Sequence, residues 1–274
     1  MQLFKRDLLI NTPGKSDFTA TLTGYVPDNT PEVDMNRKRP AVLVLPGGGY
    51  EYTSDRENEP IALKFAAEGI CAFALKYSCD PARFPQALCE ALEALKFIRE
   101  NSEKFSIDSD NIAVCGFSAG GHLAASVGVL WNSPFIAEHI GEYGAIMKPN
   151  KLILSYPVIK NGEQAHQGSF NALLGDKVTN PEMLELTSLE KQVSSETPPS
   201  FIWHTYEDDC VPVQNSLVFA NALVANNVPV ELHVYRRGWH GLSLGNYVVD
   251  QNRRPNELHV TADWFDKAVR FIYD

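Results

Sequence analysis

The stretch Ile112-Ala113-Val114-Cys115-Gly116-Phe117-Ser118-Ala119-Gly120-Gly121-His122-Leu123-Ala124-Ala125-Ser126 decides the fold. Its first four residues form a short apolar run of strand type, and the residues from Gly121 onward open a helix. Between them, Gly116-Phe117-Ser118-Ala119-Gly120 fits G-x-S-x-G, the sharp strand-to-helix turn that lifts a serine hydroxyl above the end of a sheet. The glycines let the backbone turn tightly and leave space around Ser118. A glycine-rich turn with an idle serine is the competing reading. The strand directly before and the helix directly after argue against it.

Upstream, Ala41-Val42-Leu43-Val44-Leu45 is a continuous apolar run ended by Pro46-Gly47-Gly48-Gly49. Such a run suits a strand buried on both faces, as in a parallel sheet. Two earlier strands are predicted at 3–10 and 18–25, the second with period-2 alternation. Beyond them strand and helix alternate. Helices are predicted at 59–68, 86–104, 119–131, 212–226 and 257–272, and strands at 70–77, 111–116, 151–156, 200–205 and 229–235. Leu88, Leu92, Leu95 and Ile98 mark one helical face by steps of three and four residues. The pattern implies an α/β three-layer sandwich, a mostly parallel twisted sheet flanked by helices, with 1–274 as a single domain. Two stretches interrupt the rhythm, at 132–150 and 157–197. They are expected to form short cap or substrate loops, with Trp131, Phe135, Tyr143 and Phe170 as candidate pocket or packing residues. Asn132, Asn150, Lys160, Asn161, Gln164, Gln167 and Asn171 add hydrogen-bonding side chains there, which suit a sugar better than an alkyl chain.

Composition narrows the function. The 34 acidic and 24 basic residues give a net charge of −10, which repels phosphate backbones and disfavours nucleic acid as a partner. The basic cluster Arg37-Lys38-Arg39 reads as a solvated loop before a strand. A neutral small-molecule ester or sugar is compatible with this charge, and so is a homo-oligomer. The 5 cysteines are odd in number and none is paired as CxxC, so a reduced, cytoplasmic chain is expected. No apolar stretch reaches the roughly 18 to 20 residues of a membrane span, and no signal segment follows Met1. HExxH, paired CxxC and EF-hand spacings are missing too, so no metal and no cofactor are expected.

A serine hydroxyl needs a base, and the base an orienting acid, in the chain order Ser, acid, His for this kind of turn. After the strand ending at His204 comes the acidic loop Glu207-Asp208-Asp209, any carboxylate of which has the right setting. After the next strand, His240 lies in the glycine-flanked loop Gly238-Trp239-His240-Gly241. Of the 7 histidines it alone combines correct order with a loop position. His204 and His233 fall within strands and read as structural. His122 reads as a packing residue beside Ser118, His139 and His166 lie in the cap stretches, and His259 lies on the last helix. Gly47-Gly48-Gly49 would let backbone N–H groups approach a reacting carbonyl, although a flexible turn also accounts for three glycines.

Together these pieces resemble the α/β-hydrolase superfamily, and within it the acetyl esterase/lipase group that includes xylan-esterase-like and feruloyl-esterase-like sugar hydrolases. Pro-Gly-Gly-Gly-Tyr at 46–50, Gly-Phe-Ser-Ala-Gly-Gly-His-Leu-Ala at 116–124, Asp-Asp-Cys-Val-Pro at 208–212 and Trp-His-Gly at 239–241 carry the likeness. It spans about residues 40–272. The resemblance implies Ser118 as nucleophile, His240 as base and Asp208, rather than Asp209, as acid. It implies the N–H groups of Ala119 and of Gly48 or Gly49 as oxyanion donors. Pro46 stands where the hormone-sensitive-lipase group has a histidine, which favours the sugar-esterase branch. The implied activity is removal of short acyl groups, acetyl foremost, from small carbohydrate esters. A broad short-chain carboxylesterase and a non-catalytic ligand-binding hydrolase fold are the alternatives.

Overall fold

The computed structural model describes residues 1–10, 18–141, 144–250 and 260–274. The chain opens with strands β1 (Gln2–Leu9), β2 (Thr19–Val26) and β3 (Arg39–Leu45), then helix α1 (Glu59–Ala67) and strand β4 (Cys71–Lys76). Helices α2 (Gln86–Glu100) and α3 (Ser102–Phe105) precede strand β5 (Ile107–Phe117), and helices α4 (Ala119–Leu130) and α5 (Pro134–Ile140) follow it. Next come strand β6 (Lys151–Ser155) and helices α6 (Gln167–Leu174) and α7 (Pro181–Leu186). Strand β7 (Ser200–Thr205), helix α8 (Gln214–Ala225), strand β8 (Val230–Tyr235) and helix α9 (Trp264–Tyr273) complete the order.

The strands form one eight-stranded sheet in the order β1-β2-β4-β3-β5-β6-β7-β8. β1 pairs with β2, and β2 with β4, antiparallel. The remaining pairs are parallel. Every residue of β3 is buried, which is why its sequence after Arg39 is continuously apolar rather than alternating. Period-2 geometry sends Leu43 and Leu45 of β3 and Val114 of β5 to one face, where they pack with Leu92, Leu95 and Leu123. Val42 and Val44 of β3, with Ala113 and Cys115 of β5, face the other side, against Phe65, Trp264 and Phe265. Helix–sheet–helix layering thus follows from two apolar faces on each central strand. The fold is that of an α/β-hydrolase.

Local differences from the sequence reading have identifiable causes. The helix expected over 86–104 breaks at Asn101, whose side-chain amide donates to the Phe97 carbonyl at 2.8 Å and competes with the helical ladder. Strand β5 starts four residues earlier than expected, because the polar run Asp108-Ser109-Asp110 hides it. A register irregularity between Arg39 and Ala41 marks where it joins β3. Arg39 is not solvated. It is 6% exposed and donates to the carbonyls of Gly69 and Asp28. The interruptions at 132–150 and 157–197 hold short helices, and their starts are marked by Ser133-Pro134 and Asn180-Pro181. Asn180 caps α7 by accepting from the N–H groups of Glu182 and Met183. The last helix begins at Trp264; His259 and the first residues of the helix expected from 257, like Tyr143, lie outside the described residues. Among the described residues no helix is long and apolar enough to cross a membrane.

The loops after β3, β5, β6, β7 and β8 leave the same carboxyl edge of the sheet, where open α/β sheets hold ligands. They carry Gly47–Gly49, Ser118, Tyr156, Asp208 and His240 respectively.

Candidate active site

Ser118 stands between β5 and α4 at φ 54° and ψ −119°. A positive φ is unfavourable for a residue with a Cβ, so neighbouring bonds must hold it. Its N–H donates to the Ser155 carbonyl at 3.0 Å, and its carbonyl accepts from His122 and Val158, each at 3.1 Å. The turn is tight enough to require glycine on both sides. A Cβ at Gly116 would lie 2.1 Å from the Gly120 carbonyl oxygen, and one at Gly120 would lie 2.2 Å from that of Leu45. Ser118 is 7% exposed.

The loop after β8 brings His240 to this serine. His240 Nε2 is 2.8 Å from Ser118 Oγ, and its Nδ1 is 2.7 Å from Asp208 Oδ2. Asp208 Oδ1 accepts from the backbone N–H groups of Cys210 at 3.0 Å and Val211 at 2.8 Å. His204 Nε2 lies 3.3 Å from Asp208 Oδ2. Burial alone would raise the Asp208 carboxyl, but hydrogen bonds from His204 and His240 outweigh it and hold the group well below the usual carboxylate range. Asp208 is therefore a fixed anion beneath the imidazole. Asp209 and Glu207, its neighbours, are exposed.

Glu57, Tyr156, Arg56 and His204 support the site without any signal in the sequence pattern. Glu57 is 3% exposed. Its Oε2 accepts from the Gly47 N–H at 2.9 Å and its Oε1 from the Tyr156 hydroxyl at 2.6 Å. The same Tyr156 oxygen accepts from the Ser243 N–H at 2.9 Å, and the tyrosine ring meets His240 edge-on at 5.1 Å. One buried carboxylate thus ties the glycine loop to the histidine loop. Arg56, next to it, donates to the carbonyls of Gly241 and Val249 and holds the far side of the histidine loop. In sequence Glu57 looks like an acidic residue preceding α1, which explains why it was missed. His204, read as structural, is buried in β7 and also touches the acid.

His122 is fully packed below the glycine loop. Its Nε2–H donates to the Thr187 carbonyl at 2.9 Å, so Nδ1 accepts from the Tyr50 hydroxyl at 2.8 Å. Burial pushes this imidazole from 6.5 down to about 4. The unfolded chain, whose imidazole has its ordinary proton affinity, then binds more protons than the folded one between those values. Stability should fall as pH drops from about 6.5 toward about 4, by roughly 3 kcal/mol in all. Denaturant unfolding at pH 7.5 and 4.5 reads this directly. His122→Gln, which keeps an acceptor for Tyr50 and a donor for Thr187, should flatten the difference; an equal acid loss in that variant would exclude His122 as its source.

A cavity of about 450 Å³ opens over the serine, lined among others by Gly48, Gly49, Arg56, Ser118, His166 and His240. That size admits a small molecule. Gly48 and Gly49 have φ of 129° and 67°, and a Cβ at Gly48 would sit 2.1 Å from the Tyr52 carbonyl oxygen. Ala119 is the first residue of α4, so its N–H belongs to the helix turn that lacks intrahelical acceptors and faces the positive end of the dipole. These groups can meet a developing negative charge beside Ser118. Of the cap residues singled out from sequence, Phe170 packs on His122, Phe135 stacks on Phe84, and Trp131 lies under Lys148. None of the three lines this cavity. Two of the polar cap residues act structurally as well. Asn150 accepts from Ile112 and Arg99, and Asn161 donates to the Leu184 carbonyl. Among the described residues no cluster of histidine, cysteine and acidic groups fits a metal ion.

A model of the family described as BD-FAE matches residues 29–223 of the chain. Endo-1,4-beta-xylanase B of Butyrivibrio fibrisolvens is 42% identical over 214 residues, covering 76% of this chain and 33% of the xylanase. Acetylxylan esterase of Xylanibacter ruminicola is 27% identical over 212 residues, covering 76% of this chain and 42% of that protein. The chain thus spans a third to under half the length of these relatives. Among solved structures, the acetyl ester-xyloside bifunctional hydrolase from Caldicellulosiruptor lactoaceticus superposes with a TM-score of 0.78 at 36% identity, covering 94% of this chain and 89% of that one.

Proposed function

The chain belongs to the BD-FAE family, and from that premise we propose that it is a serine carboxylic-ester hydrolase removing short acyl groups, acetyl foremost, from small carbohydrate esters. The observation that carries the reading is the hydrogen-bonded series Asp208–His240–Ser118, at 2.7 and 2.8 Å, opening into a small cavity. In this mechanism Ser118 Oγ attacks the ester carbonyl carbon while His240 Nε2 takes its proton. Asp208 holds the imidazole with its proton on Nδ1 and stabilises the imidazolium. The N–H groups of Ala119 and of Gly48 or Gly49 receive the oxyanion. His240 then returns its proton to the leaving alcohol oxygen as the C–O bond breaks. Water, deprotonated by His240, attacks the acyl-enzyme and releases the carboxylic acid and Ser118.

The substrate class follows from the relatives' names, two of which join an acetyl ester to xylan or a xyloside, and from the cavity's size. The domain reading goes with it: one hydrolase unit, with 132–150 and 157–197 as its cap. Free thiols at Cys71, Cys79, Cys89, Cys115 and Cys210 suit a reducing cytoplasmic setting. The test pairs a p-nitrophenyl ester series with acetylated xylo-oligosaccharides. Acetyl and propionyl esters should be turned over faster than octanoyl, and acetate should be released from the sugars. Preference for long-chain triglycerides, or no acetate from any acetylated sugar, would overturn the substrate assignment; failure to react with a fluorophosphonate would overturn the serine mechanism.

A further inference from the structure

His166 lines the same cavity as Ser118 and His240, and the mechanism above gives it nothing to do. It is the N-cap of α6. Its Nδ1 accepts from the Ser169 N–H at 3.3 Å and meets the Ser169 hydroxyl at 2.8 Å. A ring nitrogen that accepts a backbone N–H carries no proton, so the neutral ring holds its proton on Nε2. The cap therefore fixes the tautomer, and Nε2–H is the donor the ring has left to offer. Burial lowers the proton affinity of this imidazole, and the neighbouring His240 lowers it further. The carboxylates of Asp208 and Glu51 act the other way without reversing the shift, so the ring is a neutral single donor.

The chemistry of an acetyl ester identifies the part of the substrate that such a donor in the cavity can meet, because the acyl half has no acceptor besides the carbonyl oxygen. His240 must protonate the leaving oxygen, so the alcohol half of the ester lies on its side of the serine. The oxyanion donors lie on the glycine loop and at the start of α4 instead. On the ester-hydrolase reading, we propose that His166 Nε2–H donates a hydrogen bond to an oxygen of the alcohol, next to the acylated one. The residue is then a specificity determinant for polyhydroxylated alcohols such as sugars. A simple aryl alcohol offers no such oxygen and gains nothing from it.

His166→Asn separates this role from the cap. Asparagine is a good N-cap and can accept from Ser169, but its side chain is too short to place a donor where Nε2 lies. The variant should unfold at the wild-type temperature. Its kcat/KM for acetylated xylobiose should fall roughly 3- to 10-fold, the worth of one neutral hydrogen bond. Its kcat/KM for p-nitrophenyl acetate, which has the same acyl group, should stay at the wild-type value. Equal losses on the two substrates, or none on either, would overturn the inference and leave the ester-hydrolase reading standing. If the unmutated chain turns over the aryl ester but not acetylated xylobiose, the inference is overturned too. If the wild-type chain hydrolyses neither, the ester-hydrolase reading fails and the inference goes with it.

Discussion

Replacing Ser118 with alanine is expected to lower kcat for p-nitrophenyl acetate by about 10⁴- to 10⁶-fold, with little change in stability. The size of the loss reflects the nature of the step: without Oγ no acyl-enzyme forms, and only the oxyanion donors and binding remain. Folding should survive because the strained turn is held by backbone bonds. The N–H and carbonyl of residue 118 bond to Ser155, His122 and Val158 whatever the side chain. Alanine carries the same Cβ as serine, so the positive φ costs neither residue more than the other. The hydroxyl's own bond runs to His240. His240→Ala should cause a loss of similar size, and the double variant should be no slower than the worse single one, because the two side chains act as a unit. Turnover near the wild-type rate in Ser118→Ala would remove the serine from the mechanism, while an unfolded variant would show that the hydroxyl is structural.

How much of this was readable beforehand depends on whether a feature has a local cause. The central strands β3 and β5 were legible because burial on both faces demands continuous apolar residues. Ser118 was legible because a turn that brings Gly120 against the Leu45 carbonyl tolerates little but glycine. Chain order singled out His240, and the family resemblance, not the residues alone, pointed to Asp208 over Asp209; the fold brings His240 within hydrogen-bond reach of both Asp208 and the serine. Glu57, Tyr156 and His204 were not legible as parts of the site. Glu57 and Tyr156 depend on partners from other loops: Glu57 meets Gly47 and Tyr156, which lie 10 and 99 positions away; His204 meets Asp208 in the loop that follows its own strand, a contact its position inside the strand does not announce. Of the cap aromatics read as pocket or packing candidates, Trp131, Phe135 and Phe170 pack against other side chains for a related reason. Short helices there spend those residues on packing and capping, and exposure cannot be read from polarity alone. The break at Asn101 shows the same limit, since one side-chain amide ended a helix whose apolar period continued to suggest it.

Asp208→Asn should lower kcat by about 10⁴-fold, whereas Asp209→Asn should leave it almost unchanged. The asymmetry comes from the bonds already made to each oxygen. Asp208 Oδ1 accepts two backbone N–H groups, from Cys210 and Val211, and an amide nitrogen cannot take that place. The asparagine oxygen is therefore pinned there, and its NH₂ faces His240 Nδ1 and His204 Nε2. An NH₂ donor toward Nδ1 forces that nitrogen to accept, which moves the imidazole proton to Nε2. The ring then points a proton, not a lone pair, at Ser118 Oγ, and the base is lost without any change in position. His204, already donating toward the Val211 carbonyl at 2.9 Å, would meet a second donor, so a modest loss of stability should accompany the loss of rate. Asp209 is exposed, and its replacement disturbs none of these bonds. Steady-state kinetics of the two variants, with thermal unfolding as control, decide the matter. Equal losses, or the larger loss in Asp209→Asn, would move the acid one position along the loop and take the His240 tautomer argument with it.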